Sequence, residues 1–75
     1  MQSTLTHSAF NRDGTLVSTK TTRHPDGFRL DQFVVNVHPF DAVAVSYTDT
    51  NDQQAIVRTP EGHVIATYLL VKDQE

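Results

Sequence analysis

The chain has 75 residues, no cysteine and a net charge of −3, so it is expected to form one small domain, residues 1–75, without disulfides or thiolate metal sites. Residues 1–29 carry four basic and two acidic side chains, and residues 30–75 carry two basic and seven acidic ones. This balance excludes a strongly basic phosphate-binding protein and leaves only a modest basic patch near the N-terminus.

Length and hydropathy also bear on location and stability. The longest apolar runs, such as residues 68–71, are far too short to span a bilayer, so no membrane partner is expected. Residues 1–4 lack the basic and apolar regions of a signal peptide, which predicts a cytoplasmic protein. A chain this short has a stability margin of about 3–5 kcal/mol unless something reinforces it. Because there is no cysteine, self-association is the expected reinforcement.

Threonine and valine are the commonest residues, ten and nine respectively, and both favour strands over helices. Turn signals recur along the chain, among them Asp-Gly at 13–14, Pro-Asp-Gly at 25–27 and Glu-Gly at 61–62. Short strands separated by such turns predict an all-β fold, a strongly bent antiparallel sheet or small barrel of five to six strands. The predicted strands are residues 4–10, 15–23, 28–37, 42–48, 54–59 and 63–71.

The second predicted strand differs from the others in polarity. It opens with Leu16 and Val17, and every residue from 18 to 23 is polar or charged. Such a strand is typical of a ribbon that projects into solvent or of a sheet edge protected by Lys and Arg.

The last three predicted strands hold most of the apolar residues. Val43, Val45 and Tyr47 alternate with small residues, which predicts that these three share one face. In residues 63–71 both faces are apolar, so this strand is expected to be covered on two sides or to form a subunit interface.

No segment is predicted to be helical. Residues 40–46 after Pro39 come nearest, but their period-two alternation and Val43 and Val45 favour a strand. The aromatic residues are spread one or two per strand and do not interleave with basic residues, so most are expected in the core. Phe40, directly after a proline, is expected to plug one end of that core.

Nothing in the chain has the spacing of a catalytic or metal site. The four histidines, at 7, 24, 38 and 63, stand alone in sequence, and no cofactor loop is present because all three glycines lie at turns. Residues 49–52 are similar to a calcium loop, but positions six and twelve are Gln54 and Pro60, which favours a hairpin loop. No metal, cofactor or catalytic residue is therefore expected.

The C-terminal half resembles the Sm-like family of small β-barrels. Residues 40–45, an aromatic-Asp turn that leads into an apolar strand, resemble the end of the first Sm motif. Residues 56–58 and 62–65, an apolar-Arg segment and a glycine turn before the last strand, resemble the second motif. Residues 27–30 would supply the opening glycine-containing strand, so the resemblance covers residues 27–70.

The resemblance implies a bent five-stranded barrel, ring assembly through edge strands, and RNA bound by the two motif loops. The family's base-contacting Asn is absent, since Ala44 and Val45 occupy those positions, and Thr59 stands where a glycine is expected after the Arg. Strand-like sequence replaces the usual N-terminal helix. The candidate nucleic-acid-binding residues are Asp41 and Arg58 from the motifs, with Lys20, Arg23 and Arg29 as phosphate contacts.

Three functional hypotheses follow. The favoured one is a non-enzymatic β-barrel interaction module that forms a homo-oligomer and binds a protein partner of unknown identity. The alternative is an Sm-like RNA-binding protein with a degenerate RNA site. A third, a small hydrolase or ligand-binding barrel, requires His38, Asp41 and His63 to converge in a pocket.

Overall fold

A computed structural model of the chain describes residues 2–25, 27–49 and 52–72. Five antiparallel strands form a single sheet in the order β2-β1-β5-β4-β3. The predicted all-β class is therefore confirmed, as a five-stranded sheet. No helix within the described residues is long and apolar enough to cross a membrane. The elements are β1 (Gln2–Phe10), β2 (Leu16–Pro25), α1 (Leu30–Val37), β3 (Ala42–Tyr47), β4 (Gln53–Arg58) and β5 (Val64–Lys72).

The sheet is open and does not close into a barrel. Strands β2 and β3 form its two edges, and along the described residues they pair only with β1 and β4, respectively. Strand β2 is exposed along its whole length except at His24, which is half-buried. Of the two structures expected for this polar segment, the edge strand is the one observed.

The predicted strand over residues 28–37 is wrong, because Leu30–Val37 forms a helix. Val34, Val35 and Val37 favour a strand by intrinsic propensity. The apolar residues at 30, 33, 34 and 37, however, follow the i, i+3, i+4, i+7 spacing of one helix face. Burial of Leu30 and Val34 against the sheet, with Phe33 partly buried beside them, outweighs the propensity. Polar residues 32 and 36, which would share the Leu30 face in a strand, are exposed.

Two tight turns join the antiparallel neighbours of the sheet. In the β1–β2 turn, Gly14 has φ +88°, a conformation that costs glycine little, and its N–H donates to the Asn11 carbonyl at 3.0 Å. In the β4–β5 turn, Gly62 has φ +95° and donates to the Thr59 carbonyl at 2.8 Å. The β3–β4 connection is closed by the Thr48 N–H, which donates to the Asp52 carbonyl at 2.8 Å. Residues 50 and 51 of this predicted hairpin loop lie outside the described residues.

The core lies between α1 and one face of the sheet. Its members are buried apolar residues from the helix and from the three central strands. Phe28, Phe33, Val43 and Ile65 are partly buried against them. The buried core residues are Leu5, Leu30, Val34, Ala55, Val57, Ala66, Tyr68 and Leu70.

The predicted plug residue Phe40 is 90% exposed, so that prediction is wrong. Phe40 lies in the turn between α1 and β3, and this turn runs along the surface. The neighbouring prediction is correct: Val43, Val45 and Tyr47 share one face of β3, opposite Val57, Ala55 and Gln53 of β4. Val43 is the half-buried member of this set, whereas Val45 and Tyr47 are exposed.

The opposite face of the sheet is not covered by any described element. Tyr68 and Leu70 are buried beneath α1, so Leu69 and Val71 point to the other side of β5. Ile56 points the same way, because Ala55 and Val57 on either side of it are buried. We call this surface the open face, with Ile56, Leu69 and Val71 as its apolar residues.

Candidate functional site

A cleft lies between α1 and the part of the sheet formed by β1, β2 and β5. Its volume is about 160 Å³. The sheet side is made by two cross-strand pairs, Leu5 with Thr22 and His7 with Lys20, together with Tyr68. The helix side is made by Phe33 and Val37. We call it the helix–sheet cleft.

The cleft exists because one short helix cannot cover five strands. Strands spaced about 4.8 Å apart make a sheet about 19 Å wide, whereas a helix with its side chains is about 10 Å across. The backbone of α1 makes its closest approach to β3 and β4. Over β1 and β2, only the longer side chains of the helix reach across, so a gap remains between them and the sheet.

Aromatic rings form the inner part of the cleft. The His7 imidazole stacks on the Tyr68 ring with centroids 4.4 Å apart and planes 3° from parallel. The Phe33 ring meets Tyr68 edge-on at 6.0 Å. Beyond the cleft, Phe28 contacts Phe33 at 5.4 Å and stacks on His24 at 4.0 Å. These contacts join the helix to β1, β2 and β5 through flat side chains.

A polar chain runs from the end of the helix to Tyr68. His38 follows α1, and its N–H donates to the Val34 carbonyl at 2.9 Å, which places the imidazole at the helix C-terminus. Its Nε2 lies 2.9 Å from the Tyr68 hydroxyl, and its Nδ1 lies 3.5 Å from Asp41 Oδ2. The carboxylate, the imidazole and the phenol therefore form a chain from the surface to the core.

The pKa of the Tyr68 phenol does not favour its use as a nucleophile. Burial raises the pKa of the Tyr68 phenol above its usual value, so the hydroxyl stays protonated at neutral pH. A phenol in that state forms a hydrogen bond with His38 but is a poor nucleophile. The arrangement suits a structural role, in which His38 ties the end of α1 to the centre of the sheet.

The pKa of His7 depends on the fold. The pKa of His7 is lowered from its usual 6.5. Burial is the largest cause, followed by the neighbouring His38 and Lys20 side chains. The unfolded chain therefore takes up a proton at a pH where folded His7 does not. The free energy of unfolding should decrease as the pH falls below about 6.5, and continue to decrease down to the folded-state pKa.

This expectation can be measured by urea unfolding at about pH 7.5 and about pH 5.5 in the wild type and in His7→Gln. The difference in unfolding free energy between the two pH values should be smaller in His7→Gln. His63→Gln, at an exposed position, serves as the control and should keep the wild-type difference. An unchanged difference in His7→Gln would contradict the assignment.

The structure distributes the five predicted nucleic-acid-binding residues over the molecule. Asp41 is half-buried beside His38 and immediately precedes β3. Arg58 is exposed at the end of β4, opposite Ala42. Arg29 precedes α1, and its guanidinium lies 3.3 Å from Asp31.

The other two predicted residues, Lys20 and Arg23, lie on β2. An odd spacing puts them on opposite faces of the sheet. Lys20 faces the cleft beside its cross-strand partner His7, and Arg23 pairs with Thr4 in the sheet. The five residues thus do not share one surface: two lie on an edge strand and two lie next to the opposite edge strand.

Of the pocket predicted around His38, Asp41 and His63, the structure shows the contact between His38 and Asp41. His38 and Asp41 are neighbours, but His63 lies in the β4–β5 turn, where its N–H donates to Thr59 Oγ1 at 3.2 Å. In the described parts of the chain, no group of three or more His, Asp or Glu side chains is placed to hold a metal ion.

Sequence reasoning missed the role of His7. The available signal was the alternation of Leu5, His7 and Ala9, which places His7 on the same face as a core leucine. The pairing of His7 with Tyr68 depends on the register of β1 against β5, 61 positions away in sequence, so spacing alone could not reveal it.

Comparisons of the chain with protein-family models, with curated proteins and with solved structures found no match. The resemblance to the Sm-like family therefore stays a prediction.

Proposed function

We propose that the protein is a non-enzymatic interaction module that self-associates, and that the open face of its sheet is the contact between two copies. The observation that carries this proposal is the position of Leu69. It lies at the middle of the central strand β5, flanked by Thr6 of β1 and Gln54 of β4, and is 37% exposed. A leucine at the centre of a sheet face is normally covered by another layer.

The chemistry of the open face suits packing against a second sheet. Next to these apolar residues, the open face carries hydroxyl groups on β1 and β5, including those of Thr4, Thr6 and Thr67. These groups carry no charge, and Arg23, which lies on the same side of the sheet, is confined to the edge strand β2. The centre of the face can therefore be covered without the cost of burying unpaired ions. Packed sheets lie about 10 Å apart and interdigitate such β-branched side chains.

The chain exposes more surface than is usual for a folded monomer of its mass, which supports the proposal of a second copy. The surface is 5248 Å², whereas a folded monomer of 8.4 kDa exposes about 4,600 Å². The excess of roughly 600 Å² approaches the roughly 800 Å² that each partner buries in a standard-size interface. A dimer through the open face would therefore bring the exposed area into the usual range.

The thin core gives a thermodynamic reason for association. One eight-residue helix covers one face of the sheet, and two of the eight core residues are alanines. Stabilisation by a second copy grows with protein concentration, because only the folded chain binds it.

The test compares Leu69→Lys with a matched control, Val35→Lys. Both replace an exposed apolar residue by lysine, but Val35, 52% exposed, lies on the outer side of α1. Sedimentation velocity should show a wild-type dimer at micromolar concentration. Leu69→Lys should weaken dimerisation by about 10- to 100-fold, because each dimer would bury two ammonium groups at the centre of its interface. Val35→Lys should leave it unchanged.

Two outcomes would overturn this assignment. If the wild-type chain remains monomeric at high concentration, the protein does not self-associate. If it forms a dimer that Leu69→Lys does not weaken, the open face is not the contact between the two copies. Native mass spectrometry of protein purified without nuclease treatment addresses the RNA-binding prediction in the same preparation, since a ring carrying RNA would favour that function instead.

A further inference from the structure

We propose that the helix–sheet cleft binds a small aromatic monocarboxylate, with the ring between α1 and the sheet and the carboxylate toward β2. The cleft lies on the α1 side of the sheet and the open face lies on the other. This inference therefore does not depend on self-association.

The size of the cleft selects a ligand of one ring. An apolar cavity of about 150 Å³ accommodates benzene, and the helix–sheet cleft measures about 160 Å³. A benzoate-sized molecule, of roughly nine heavy atoms, fits if its carboxylate extends beyond the apolar part. A nucleotide or a bicyclic cofactor would be too large.

The walls of the cleft favour a flat apolar ligand. Leu5 and Val37 supply aliphatic surface, and Phe33 and Tyr68 supply ring surface. The rings are held in place by their mutual contacts and by the hydrogen bond between Tyr68 and His38. A pre-formed site of this kind avoids the cost of ordering side chains when the ligand binds, and aromatic pairs contribute beyond their buried area.

The rim of the cleft favours a negative charge on that ligand. Lys20 and Thr22 line the side formed by the edge strand β2. Lys20 supplies an ammonium group that can donate to a carboxylate, whereas the Thr22 hydroxyl is hydrogen-bonded to His24 Nε2 at 2.9 Å. His7, the cross-strand partner of Lys20, adds an imidazole. No carboxylate belongs to the lining residues, so within the described chain no acidic side chain of the cleft competes for Lys20.

The charge next to His7 also favours an anion. The Lys20 ammonium is paired across the strands with His7 and lines the same cleft. A bound carboxylate would accept a hydrogen bond from it. Charge-assisted hydrogen bonds of this type are stronger than neutral ones.

The proposal can be tested by nuclear magnetic resonance titration of the ¹⁵N-labelled full chain with sodium benzoate at constant ionic strength. Benzamide, which keeps the ring but lacks the charge, and acetate, which keeps the charge but lacks the ring, are the matched probes. Benzoate should bind with a Kd of about 1 mM or tighter. Benzamide and acetate should each bind at least about tenfold more weakly. The amide signals that shift should be those of residues 5, 7, 20, 22, 33, 37 and 68.

Variants assign the binding to the cleft. Lys20→Gln should weaken the binding of benzoate by about tenfold and leave the binding of benzamide unchanged, because only the charged probe contacts the ammonium group. Lys72→Gln, at the other lysine of the chain, should have no effect on either probe. Val37→Trp should fill the cleft and abolish binding of both, with its spectrum serving as the check that the chain is folded.

Three results would overturn the proposal. If benzoate causes no saturable shifts, the cleft does not bind it. If benzoate and benzamide bind with equal affinity, the cleft does not recognise the charge of the ligand. Equal effects of Lys20→Gln and Lys72→Gln would show that benzoate responds to overall charge and not to the cleft.

Discussion

Replacing Leu30 by alanine should cost about 2–5 kcal/mol of unfolding free energy, because it removes three buried carbon atoms (Cγ, Cδ1 and Cδ2) at the start of α1, the helix that covers one face of the sheet. Leu30 is 0% exposed and begins α1. A domain of this length has about 3–5 kcal/mol in total. Leu30→Ala should therefore be largely unfolded at 25 °C, as measured by urea titration followed by circular dichroism.

Val35→Ala is the matched control for the helix. Val35 is 52% exposed on the same helix, so its truncation should change the unfolding free energy by less than about 0.5 kcal/mol. Both variants must be compared at one protein concentration, since self-association would add to the apparent stability. Equal costs for Leu30→Ala and Val35→Ala would contradict the packing of α1 described here.

Tyr68→Ala should be comparably damaging, at about 3–5 kcal/mol, the range for truncating a buried aromatic residue. Tyr68 is 2% exposed, stacks on His7, meets Phe33 edge-on and bonds His38 through its hydroxyl. Its loss opens a cavity at the junction of α1 with β1 and β5. Thermal unfolding should show the largest decrease in Tm among single tyrosine variants.

Tyr68→Phe distinguishes the contribution of the Tyr68 ring to stability from that of its hydroxyl group. It keeps the ring contacts and removes only the bond to His38, so it should cost about 1 kcal/mol. Tyr47→Ala, at an edge-strand tyrosine that is 65% exposed, should cost less than either. If Tyr68→Phe were as damaging as Tyr68→Ala, the hydrogen bond to His38 and not the ring would dominate this part of the core.

The helix–sheet cleft and the open face have a common origin. A single eight-residue helix over five strands covers part of one face and none of the other. The partly covered face becomes the cleft, and the uncovered face becomes the proposed interface. Both candidate surfaces thus follow from the small ratio of helix to sheet.

The sequence by itself determined the all-β class and the positions of five strands, because hairpin turns and strand alternation are local signals. Asp-Gly at 13–14 and Glu-Gly at 61–62 mark turns that the structure contains, with glycine at positive φ in each. The polar composition of residues 18–23 likewise indicated the edge strand. These features depend on a few adjacent residues, so no knowledge of the rest of the fold is required.

Only the tertiary structure decided that Leu30–Val37 is helical and which side of β5 it covers. The local signals in that segment conflict: three valines favour a strand, whereas the 30, 33, 34, 37 spacing favours a helix. Burial against the sheet resolves the conflict. The contacts of Tyr68 with His7 and His38 are likewise non-local, because they depend on strand register and helix placement, which are set by the packing of distant segments.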